Sequence, residues 1–307
     1  MKNAKTIALI LLAGLLTLGL AACALEQSAV TDGNGANNTT AAPKTAAATT
    51  AATTATPAPE QITMKIVSMN TQNSGYDRSG EATIEIKYQK LADAISAKTP
   101  DLVLLQECNT AAAADSIRAR MTNAADYGMV SDTNATTMIL YNKKILSLID
   151  QGCEQIGAAN DANGSNYDRY MVWARFRHVE SGVPMVVVPV HVDYATKACK
   201  AQINIIVNYL KTNFPKIPFI LGGDFNLESG TVSATSLTTE GYLDARVSAT
   251  EKISANEATF PGKNTIIDFV WYKGGMIYAA TANKYEVITD ALPTDHRPIY
   301  VEITITK

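Results

Sequence analysis

Residues 217–226 read Ile-Pro-Phe-Ile-Leu-Gly-Gly-Asp-Phe-Asn and end in two side chains that could do chemistry, Asp224 and Asn226. The apolar residues predict a buried strand, and the glycine pair predicts its end, where backbone can approach a ligand. A carboxylate and a carboxamide just past a strand end can hold and orient one water molecule against an electrophile, as a general base with a positioning partner. The same residue types also suit an ordinary turn.

Three further polar clusters follow strand-like runs, at Asn70, at Glu107 and at Asp295-His296. Glu107 and Asn70 would offer the hard oxygen ligands that Mg²⁺ accepts while it keeps several waters, although Glu107 alone could also be a solvated carboxylate. Phosphoester hydrolysis needs these features, because it requires charge neutralised on the phosphoryl oxygens and an in-line water. His296 directly follows Asp295, so on a strand-like segment the two side chains would point apart and each would need its own partner.

The elements that must position these residues alternate between strands and helices. Apolar runs and alternation predict strands over 62–70, 102–105, 137–141, 145–149, 170–176, 183–190, 217–221, 266–271, 277–280 and 299–305. Helical spacing predicts helices over 84–95, 111–121 and 196–214. We expect 137–141 to pair with 145–149, and 170–176 with 183–190. Strands interleaved with a few helices favour sheets that carry helices on their outer faces.

The first 23 residues have the pattern of an export signal. Lys2 and Lys5 precede the apolar residues 7–20, and Leu-Ala-Ala-Cys23 ends the stretch. It resembles a bacterial lipoprotein signal, which implies that residues 1–22 are removed and that Cys23 is lipidated and anchors the protein to the bacterial membrane at the cell surface. A plain secreted protein and a transmembrane helix are the alternatives, although 7–20 is short for a membrane span.

Composition divides the rest of the chain into two parts. Residues 23–60 are rich in Ala and Thr and predict a disordered tether, because they cannot bury enough apolar surface to offset chain entropy. Residues 61–307 predict one domain. The formal net charge is −3 and no run of Lys or Arg occurs, which excludes a broad electrostatic footprint for nucleic acid but leaves a local basic strip open.

Three cysteines of the domain show no metal-type spacing. In an exported protein one disulfide is plausible, and we expect it between Cys153 and Cys199. We expect Cys108 to be a buried thiol.

The domain from about residue 62 onward resembles the endonuclease/exonuclease/phosphatase superfamily in six ordered motifs. These are Asn70, Asp101-Leu-Val-Leu-Leu-Gln-Glu107, Val190-His-Val-Asp193, Gly223-Asp-Phe-Asn226, Ile267-Asp-Phe269 and Thr294-Asp-His-Arg-Pro298. The resemblance implies an α/β fold like that of deoxyribonuclease I, a four-layer α-β-β-α sandwich of two packed mixed β-sheets with helices on the outer faces. It places the site in the cleft where the sheets meet.

The resemblance also implies a metal centre for Mg²⁺ or Mn²⁺. Glu107 would be the principal ligand, with Asn70 beside it and Asp295 as a further metal or water ligand. Asp224 with Asn226 would be the base or water orienter. A free carboxylate is a weak base, so either the metal charge lowers the pKa of the water or burial raises that of Asp224.

Four further residues would then act on the phosphoryl group. The resemblance implies that Asp268 holds His296, which would stabilise the phosphoryl charge or help to protonate the leaving group. His191 would bind a non-bridging phosphate oxygen, and Arg169 would be a second phosphate clamp.

We therefore expect a monomeric, surface-tethered, metal-dependent phosphoester hydrolase, in the first place a phosphodiesterase or nuclease with nucleic acid as a possible partner. A sphingomyelinase-like enzyme or a small-phosphoester phosphatase is the alternative. The second alternative is a catalytically inactive surface binding module, which the intact set of motif residues disfavours. The sequence around Asp268 counts against the inositol 5-phosphatases, since Ile-Asp-Phe stands where they usually carry Cys-Asp-Arg.

Overall fold

The structure is a computed structural model that describes residues 61–72, 83–233 and 235–307. The expected signal 1–22, the anchor Cys23 and the tether 23–60 lie outside the described residues. In the part of the chain that is described, no helix combines the length and the hydropathy needed to cross a bilayer.

Within the described residues the chain forms thirteen strands, six α-helices and two 3₁₀ helices, Ala124–Asp126 and Pro261–Lys263. The strands are β1 Gln61–Asn70, β2 Leu102–Gln106, β3 Tyr127–Val130, β4 Met138–Asn142, β5 Leu146–Gly157, β6 Arg169–His178, β7 Pro184–His191, β8 Phe219–Asp224, β9 Leu243–Asp244, β10 Glu251–Ile253, β11 Asp268–Lys273, β12 Ala279–Val287 and β13 Ile299–Thr306. The helices are α1 Ile84–Ser96, α2 Ala111–Arg118, α3 Thr196–Asn213, α4 Ser229–Ser233, α5 Ser236–Thr239 and α6 Ala245–Ser248.

The strands form two mixed sheets. The seven-stranded sheet has the order β10-β12-β13-β1-β2-β4-β3, and the six-stranded sheet has the order β5-β6-β7-β8-β11-β9. One parallel pair lies in the middle of each sheet, β1 with β2 and β7 with β8. Antiparallel strands flank these pairs, β13 and β4 in the first sheet and β6 and β11 in the second.

Three hydrophobic layers hold the sandwich together. Side chains from both sheets, such as Ile66, Leu104 and Val187, fill the space between the sheets. On the outer face of the seven-stranded sheet, α1 and α2 bury Leu91 and Ile117. On the outer face of the six-stranded sheet, α3 packs onto it through an apolar stripe. The predicted four-layer α-β-β-α sandwich is therefore confirmed.

The strand β8 continues through the glycine pair that was expected to end it. A Cβ at Gly223, whose φ is +154°, would lie 1.9 Å from the carbonyl oxygen of Val190 in the neighbouring β7. A Cβ at Gly222 would lie 2.6 Å from Leu104 Cδ1 of the other sheet. Glycine is needed here because backbone and the facing sheet approach too closely for a side chain.

The predicted pairing of 137–141 with 145–149 is wrong, whereas that of β6 with β7 is confirmed. β4 pairs with β2 and β3, and β5 pairs with β6 in the other sheet. The turn between them, in which Ile145 N donates to Asn142 O at 3.1 Å, therefore carries the chain from one sheet to the other. In addition, α2 ends at Arg118 rather than near residue 121, and the short strands β3, β9 and β10 were not predicted.

The predicted disulfide is also wrong, because Cys153 and Cys199 are free thiols on opposite faces of the six-stranded sheet. Cys153 lies on β5 against the core between the sheets. Cys199 lies on α3 in the outer core, where its thiol donates to the carbonyl oxygen of Phe225 at 3.3 Å. Cys108 is a buried thiol, as predicted.

The two ends of β1 lie at opposite ends of the sandwich. Gln61 pairs with Thr306, and Asn70 lies beside Gln106 at the end where the polar motifs gather. β11 runs the other way, from Asp268 at the polar end, and the segment after it exposes Met276 and Ile277.

Candidate active site

Strand register brings four of the predicted residues to one end of the sandwich. In the six-stranded sheet, Asp224 is the register partner of His191 on β7 and of Asp268 on β11. In the other sheet, Asn70 ends β1. Asp224 lies two residues after Gly222, which faces Leu104 of the other sheet, so alternation along the strand directs its carboxylate into the gap between the sheets.

Asn70 joins the two sheets chemically. Its Nδ2 donates to Glu107 Oε1 and to Asp224 Oδ2, both at 3.1 Å. Its Oδ1 accepts from the backbone N–H of Gln72 at 2.9 Å, and its carbonyl oxygen accepts from Thr294 Oγ1 at 2.8 Å. One fully bonded carboxamide therefore holds two carboxylates side by side.

Two of the site residues have left-handed backbone conformations, Glu107 with φ +51° and Asn226 with φ +53°. Alternation from the buried strand β2 would point Glu107 to the outer face together with Leu105. The left-handed turn at its first residue past the strand redirects the carboxylate towards Asn70. Asn226 donates its backbone N–H to Asp224 Oδ1 at 2.8 Å and its Nδ2 to Val192 O at 2.9 Å, and thereby fixes the loop after β8.

His296 and Asp268 form a buried ion pair, with Nδ1 2.9 Å from Asp268 Oδ2. Burial alone would lower the pKa of His296. The Asp268 carboxylate, with help from Asp224 and Asp295, outweighs burial and raises the pKa of His296 to about 10. The other ring nitrogen, Nε2, lies 3.8 Å from Asp224 Oδ2, and the ring packs against Phe260 with centroids 4.8 Å apart.

His191 is neutral, and its tautomer is fixed by Arg169. Arg169 Nη1 lies 3.0 Å from His191 Nδ1, and a guanidinium can only donate, so Nδ1 accepts and Nε2 carries the proton. Burial, followed by the charges of Arg169 and His296, lowers the pKa of His191 well below its ordinary value. The Nε2–H group lies 3.9 Å from Glu107 Oε1 and 3.8 Å from Asp224 Oδ2, at the centre of the site.

Asp224 is the most perturbed carboxyl group of the site. Burial and the nearby charge of Asp268 raise its pKa, although His296, the N–H of Asn226 and the amide of Asn70 oppose them, and the result is about 7.

Asp295 lies beside His296 rather than pointing away from it. Its Oδ1 is 4.0 Å from His296 Nε2, and 42% of its side chain is exposed. The expected divergence fails because both residues precede β13 in a bend, where strand alternation does not apply. Of the predicted site residues, those on described segments gather at this one cleft, and Cys23 lies outside them.

The donor set fits a hard divalent cation. Nitrogen or oxygen atoms of Glu107, His191 and Asp224 lie within 4.8 Å of one another, and so do those of Asp224, Asp268 and His296. In the second group Asp268 and His296 pair with each other. In the first group Glu107 and Asp224 converge from the two sheets, both close to the neutral His191, and the charged His296 lies 3.8 Å from Asp224 Oδ2. Oxygen ligands with this excess of negative charge suit Mg²⁺ or Mn²⁺.

Two recesses flank the carboxylates and share the walls formed by Glu107, Tyr194 and Asn226. The larger, of about 530 Å³, extends towards Phe260 and His296. The smaller, of about 440 Å³, is lined by the following residues in addition to the shared wall: Asn109, Thr136, Tyr167, Asp168, Arg169 and His191.

Sequence reasoning missed three aromatic residues of this cleft, Tyr167, Tyr194 and Phe260. The available signal was proximity, since Tyr194 directly follows the Val-His-Val-Asp193 motif and Tyr167 lies two residues before Arg169.

Asp193 fixes the loop that carries Tyr167 and Arg169. Its fully buried carboxylate accepts from Asn166 N and Nδ2 at 2.7 Å each, from Ser165 Oγ at 3.2 Å and from Ala195 N at 2.9 Å. Burial would raise the pKa of Asp193, but these hydrogen bonds outweigh burial and lower it.

Comparison with known proteins agrees with this architecture. Residues 68–296 match the Endonuclease/Exonuclease/phosphatase family, and the sequence matches none of the curated proteins with which it was compared. Among solved structures, an endonuclease/exonuclease/phosphatase family protein from Bacteroides thetaiotaomicron is similar with a TM-score of 0.68 and 17% identity, over 80% of this chain and 98% of that one.

Two further solved structures carry functional names. A mannosyl-6-phosphatase from Bacteroides thetaiotaomicron is similar with a TM-score of 0.67 and 17% identity, over 78% of this chain and 99% of that one. TDP2 from D. rerio, complexed with a single-strand DNA product, is similar with a TM-score of 0.61 and 15% identity, over 78% of this chain and 98% of that one. At these identities the likeness concerns the fold.

Proposed function

Because the chain belongs to the endonuclease/exonuclease/phosphatase family, we propose that it is a divalent-metal-dependent phosphodiesterase that acts on nucleic acid or its fragments. The observation that carries this proposal is the pair of recesses on either side of the carboxylates. A phosphodiester has one ester group on each side of its phosphorus, and the two recesses can receive one each. A phosphomonoester would need only one of them.

Glu107 would hold the metal, with Asp224, Asn70 and Asp295 as further ligands or as partners of its waters. When bound, a divalent cation there supplies positive charge for the phosphoryl oxygens and lowers the pKa of a bound water. The family relationship and the donor chemistry support Mg²⁺ or Mn²⁺.

Asp224, with Asn226 fixing the loop beside it, would orient the attacking water and accept its proton. Burial and Asp268 hold the pKa of Asp224 near 7, which makes it a much better base than an ordinary carboxylate. Its Oδ2 already accepts from Asn70, and Oδ1 accepts from the backbone of Asn226, so the carboxylate plane cannot rotate freely.

Two histidines would contact the phosphoryl group, His296 as a charged imidazolium and His191 as a neutral imidazole. His296, charged through Asp268, has a free Nε2 that can stabilise the phosphoryl charge or protonate the leaving oxygen. His191, neutral through Arg169, can donate from Nε2 to a non-bridging oxygen without introducing another charge. Arg169 would extend the clamp.

A small-phosphoester phosphatase is the second candidate, because carboxylates rim both recesses. Asp168 lines the smaller one, and Glu228 and Asp295 line the larger one. A phosphate that carries one small group would avoid the repulsion that further phosphates meet at these carboxylates, whereas Lys263 in the larger recess and Arg169 in the smaller one offset that repulsion for a nucleic acid. The mannosyl-6-phosphatase with a similar fold shows that the fold accommodates a phosphatase.

The test is hydrolysis by the purified protein with Mg²⁺ or Mn²⁺. The substrates are the dinucleotide dTpdT, single-stranded and duplex DNA, hexose 6-phosphate and sphingomyelin. We expect cleavage of dTpdT and of single-stranded DNA, abolished by a chelator. Asp224→Asn and His296→Ala should each lower kcat by roughly 10²–10⁴.

The matched control is His178→Ala, since His178 lies at the far end of β6 and binds Ser181. It should retain wild-type turnover. Release of phosphate from hexose 6-phosphate without cleavage of any diester would instead support the phosphatase, and full activity of Asp224→Asn would refute the site.

We also propose that the mature protein begins at Cys23 and is held by its lipid at the bacterial surface. The signal-like residues 1–22 support this proposal. Mass spectrometry of protein extracted from membranes should find a lipidated Cys23, and an unmodified Cys23 would exclude the anchor.

A further inference from the structure

Two large aromatic side chains at the cleft are more exposed than their chemistry favours. Tyr167 and Tyr194 are 54% and 55% exposed. Their ring centroids lie 6.2 Å apart at an interplanar angle of 66°, an edge-to-face contact that leaves ring faces open to solvent. Tyrosine usually buries much of its ring, so each ring of this pair presents an unusually exposed flat apolar face.

The pair adjoins the proposed phosphate clamp. Arg169 Cζ lies 5.3 Å from the centroid of the Tyr167 ring, and the same guanidinium binds His191. Both tyrosines line the smaller recess, and Tyr194 also stands between the two recesses. A group that stacked on these rings would therefore lie next to a phosphate bound by Arg169 and His191.

The backbone that carries the two tyrosines is held by hydrogen bonds before any ligand binds. The backbone next to each tyrosine, at Asn166 and at Ala195, is bonded to the same buried carboxylate, Asp193. Gln202 reinforces this link, because its Oε1 accepts from Asp193 N at 2.8 Å and its Nε2 donates to Ser165 Oγ at 3.1 Å. Because the backbone that carries the two rings is held in this way, only side-chain torsions remain to be ordered when a ligand stacks on them.

We propose that Tyr167 and Tyr194 form a stacking subsite for the nucleobase next to the scissile phosphate. This inference rests on the proposed phosphodiesterase function and names its substrate as a nucleotide diester. A base has the planar face that such rings bind, and stacking tolerates any base. The carboxylate of Asp168 in the same recess disfavours a second phosphate there, so the recess takes the base while the chain continues elsewhere.

The other ring-bearing or apolar groups fit less well. An acyl chain needs a continuous apolar groove, whereas the recess has polar edges at Asn109, Thr136 and Asp168. Those polar groups can instead bind the edge of a base. A sugar ring would be recognised mainly through hydrogen bonds to its hydroxyls, so it would depend on the phenol oxygens as well as on the rings.

The experiment uses three dinucleotides, each with one phosphodiester bond. They are dTpdT and the two versions in which one nucleotide or the other is replaced by an abasic tetrahydrofuran residue. We measure kcat/KM with Mg²⁺ for the full-length wild type and for Tyr167→Ala, Tyr194→Ala and the two Tyr→Phe variants. In the wild type, removal of the base on one side should lower kcat/KM roughly tenfold.

The double-mutant cycle decides the inference. In Tyr167→Ala and Tyr194→Ala the effect of removing that base should shrink to about twofold or less, because the stacking partner is already gone. The Phe variants should keep the wild-type preference, since they keep the rings. Met276→Ala, at the exposed far end of the sandwich, is the control and should also keep it.

Cleavage of dTpdT with no dependence on either base, or equal base dependence in the Ala variants, would overturn the stacking subsite and leave the phosphodiesterase intact. Failure to cleave any dinucleotide would refute the proposed function itself. Hydrolysis of hexose 6-phosphate that both the Ala and the Phe variants weaken would assign the recess to a sugar and would also overturn the inference.

Discussion

At the scale of single residues, the centre of the site depends on Asn70. Its two amide hydrogens bind carboxylates from different sheets, Glu107 and Asp224. Two carboxylates held close together repel each other, and the amide dipole of Asn70 reduces that repulsion, as does the charged His296 that lies 3.8 Å from Asp224 Oδ2. A cation between them would do the same more strongly, so Asn70 arranges the carboxylates for metal binding.

We therefore expect Asn70→Ala to weaken metal binding by roughly 10- to 100-fold, because groups that orient metal ligands contribute on this scale. The measurement is the Mg²⁺ concentration that gives half-maximal hydrolysis, together with calorimetric titration of the metal. Asn134→Ala, in an exposed turn closed by Asp132, should leave both unchanged. Wild-type metal affinity in Asn70→Ala would contradict this role.

At the scale of elements, β8 depends on the absence of side chains at its glycine pair. We expect Gly223→Ala to lower the free energy of unfolding by more than about 3 kcal/mol or to prevent folding, since the new Cβ would meet backbone of β7 at 1.9 Å. Gly222→Ala should lower the free energy of unfolding by less, because its new Cβ would meet Leu104 Cδ1, which is the end of a flexible side chain.

Gly230→Ala on α4 is the matched control. No heavy atom lies within 4 Å of its added Cβ, so it should stay within about 0.5 kcal/mol of the wild type or gain slightly from helix propensity. The urea concentration at the unfolding midpoint of each of the three variants measures their relative stability. A Gly223→Ala protein as stable as the wild type would contradict the packing argument.

The loop before β6 depends on the charge of Asp193. We expect Asp193→Asn to lower the free energy of unfolding by about 2 kcal/mol at pH 7, because hydrogen bonds to a charged acceptor are replaced by weaker ones. The pKa of Asp193 lies below its ordinary 3.8 when folded. Its stabilisation is therefore complete above that value and is lost as the pH falls through the folded pKa.

The difference in the free energy of unfolding between the wild type and Asp193→Asn should consequently become smaller below about pH 3.8. Urea unfolding at pH 7 and pH 3.5 measures it. Asp115→Asn, which removes an exposed pair with Arg118, should change stability by less than about 1 kcal/mol at both pH values. If the difference in stability between the wild type and Asp193→Asn were larger at pH 3.5 than at pH 7, the stabilising role of the Asp193 charge would be contradicted.

The elements also show which parts of the fold the sequence could predict. β2 and the first half of β8 are continuous apolar runs and α1 has a clear buried stripe, so local pattern was sufficient for them, whereas the continuation of β8 through its glycine pair was not predicted. The turn at residues 142–145 looks like a hairpin locally, and only the pairing of β5 with β6 reveals that it changes sheets.

The site divides in the same way. Strand-end motifs predicted which side chains meet, because strand register fixes their direction. Glu107 reaches Asn70 only through a left-handed backbone turn, and Tyr167 is placed by a long-range bond network around Asp193. Neither the left-handed turn nor the hydrogen-bond network can be predicted from the local periodicity of the sequence.

At the scale of the whole molecule, the sandwich holds together without covalent cross-links between its described cysteines. We expect a reducing agent to leave the thermal unfolding midpoint unchanged. Burial is the main cause that raises the pKa of both Cys153 and Cys199 to about 12, so few thiolates exist at pH 8.

Iodoacetamide should thus modify these thiols slowly in the folded protein and rapidly in 8 M urea, as intact mass measures. A mass increase of two hydrogens on reduction, or a lower midpoint, would reveal a disulfide and contradict the structure.

The direction of β1 separates the start of the described fold from the carboxylates. Its ten residues span roughly 30 Å between Gln61 and Asn70. A label or solid support attached directly before Gln61 would therefore lie at the end of the sandwich opposite Glu107 and Asp224, and both recesses would stay open to added substrate.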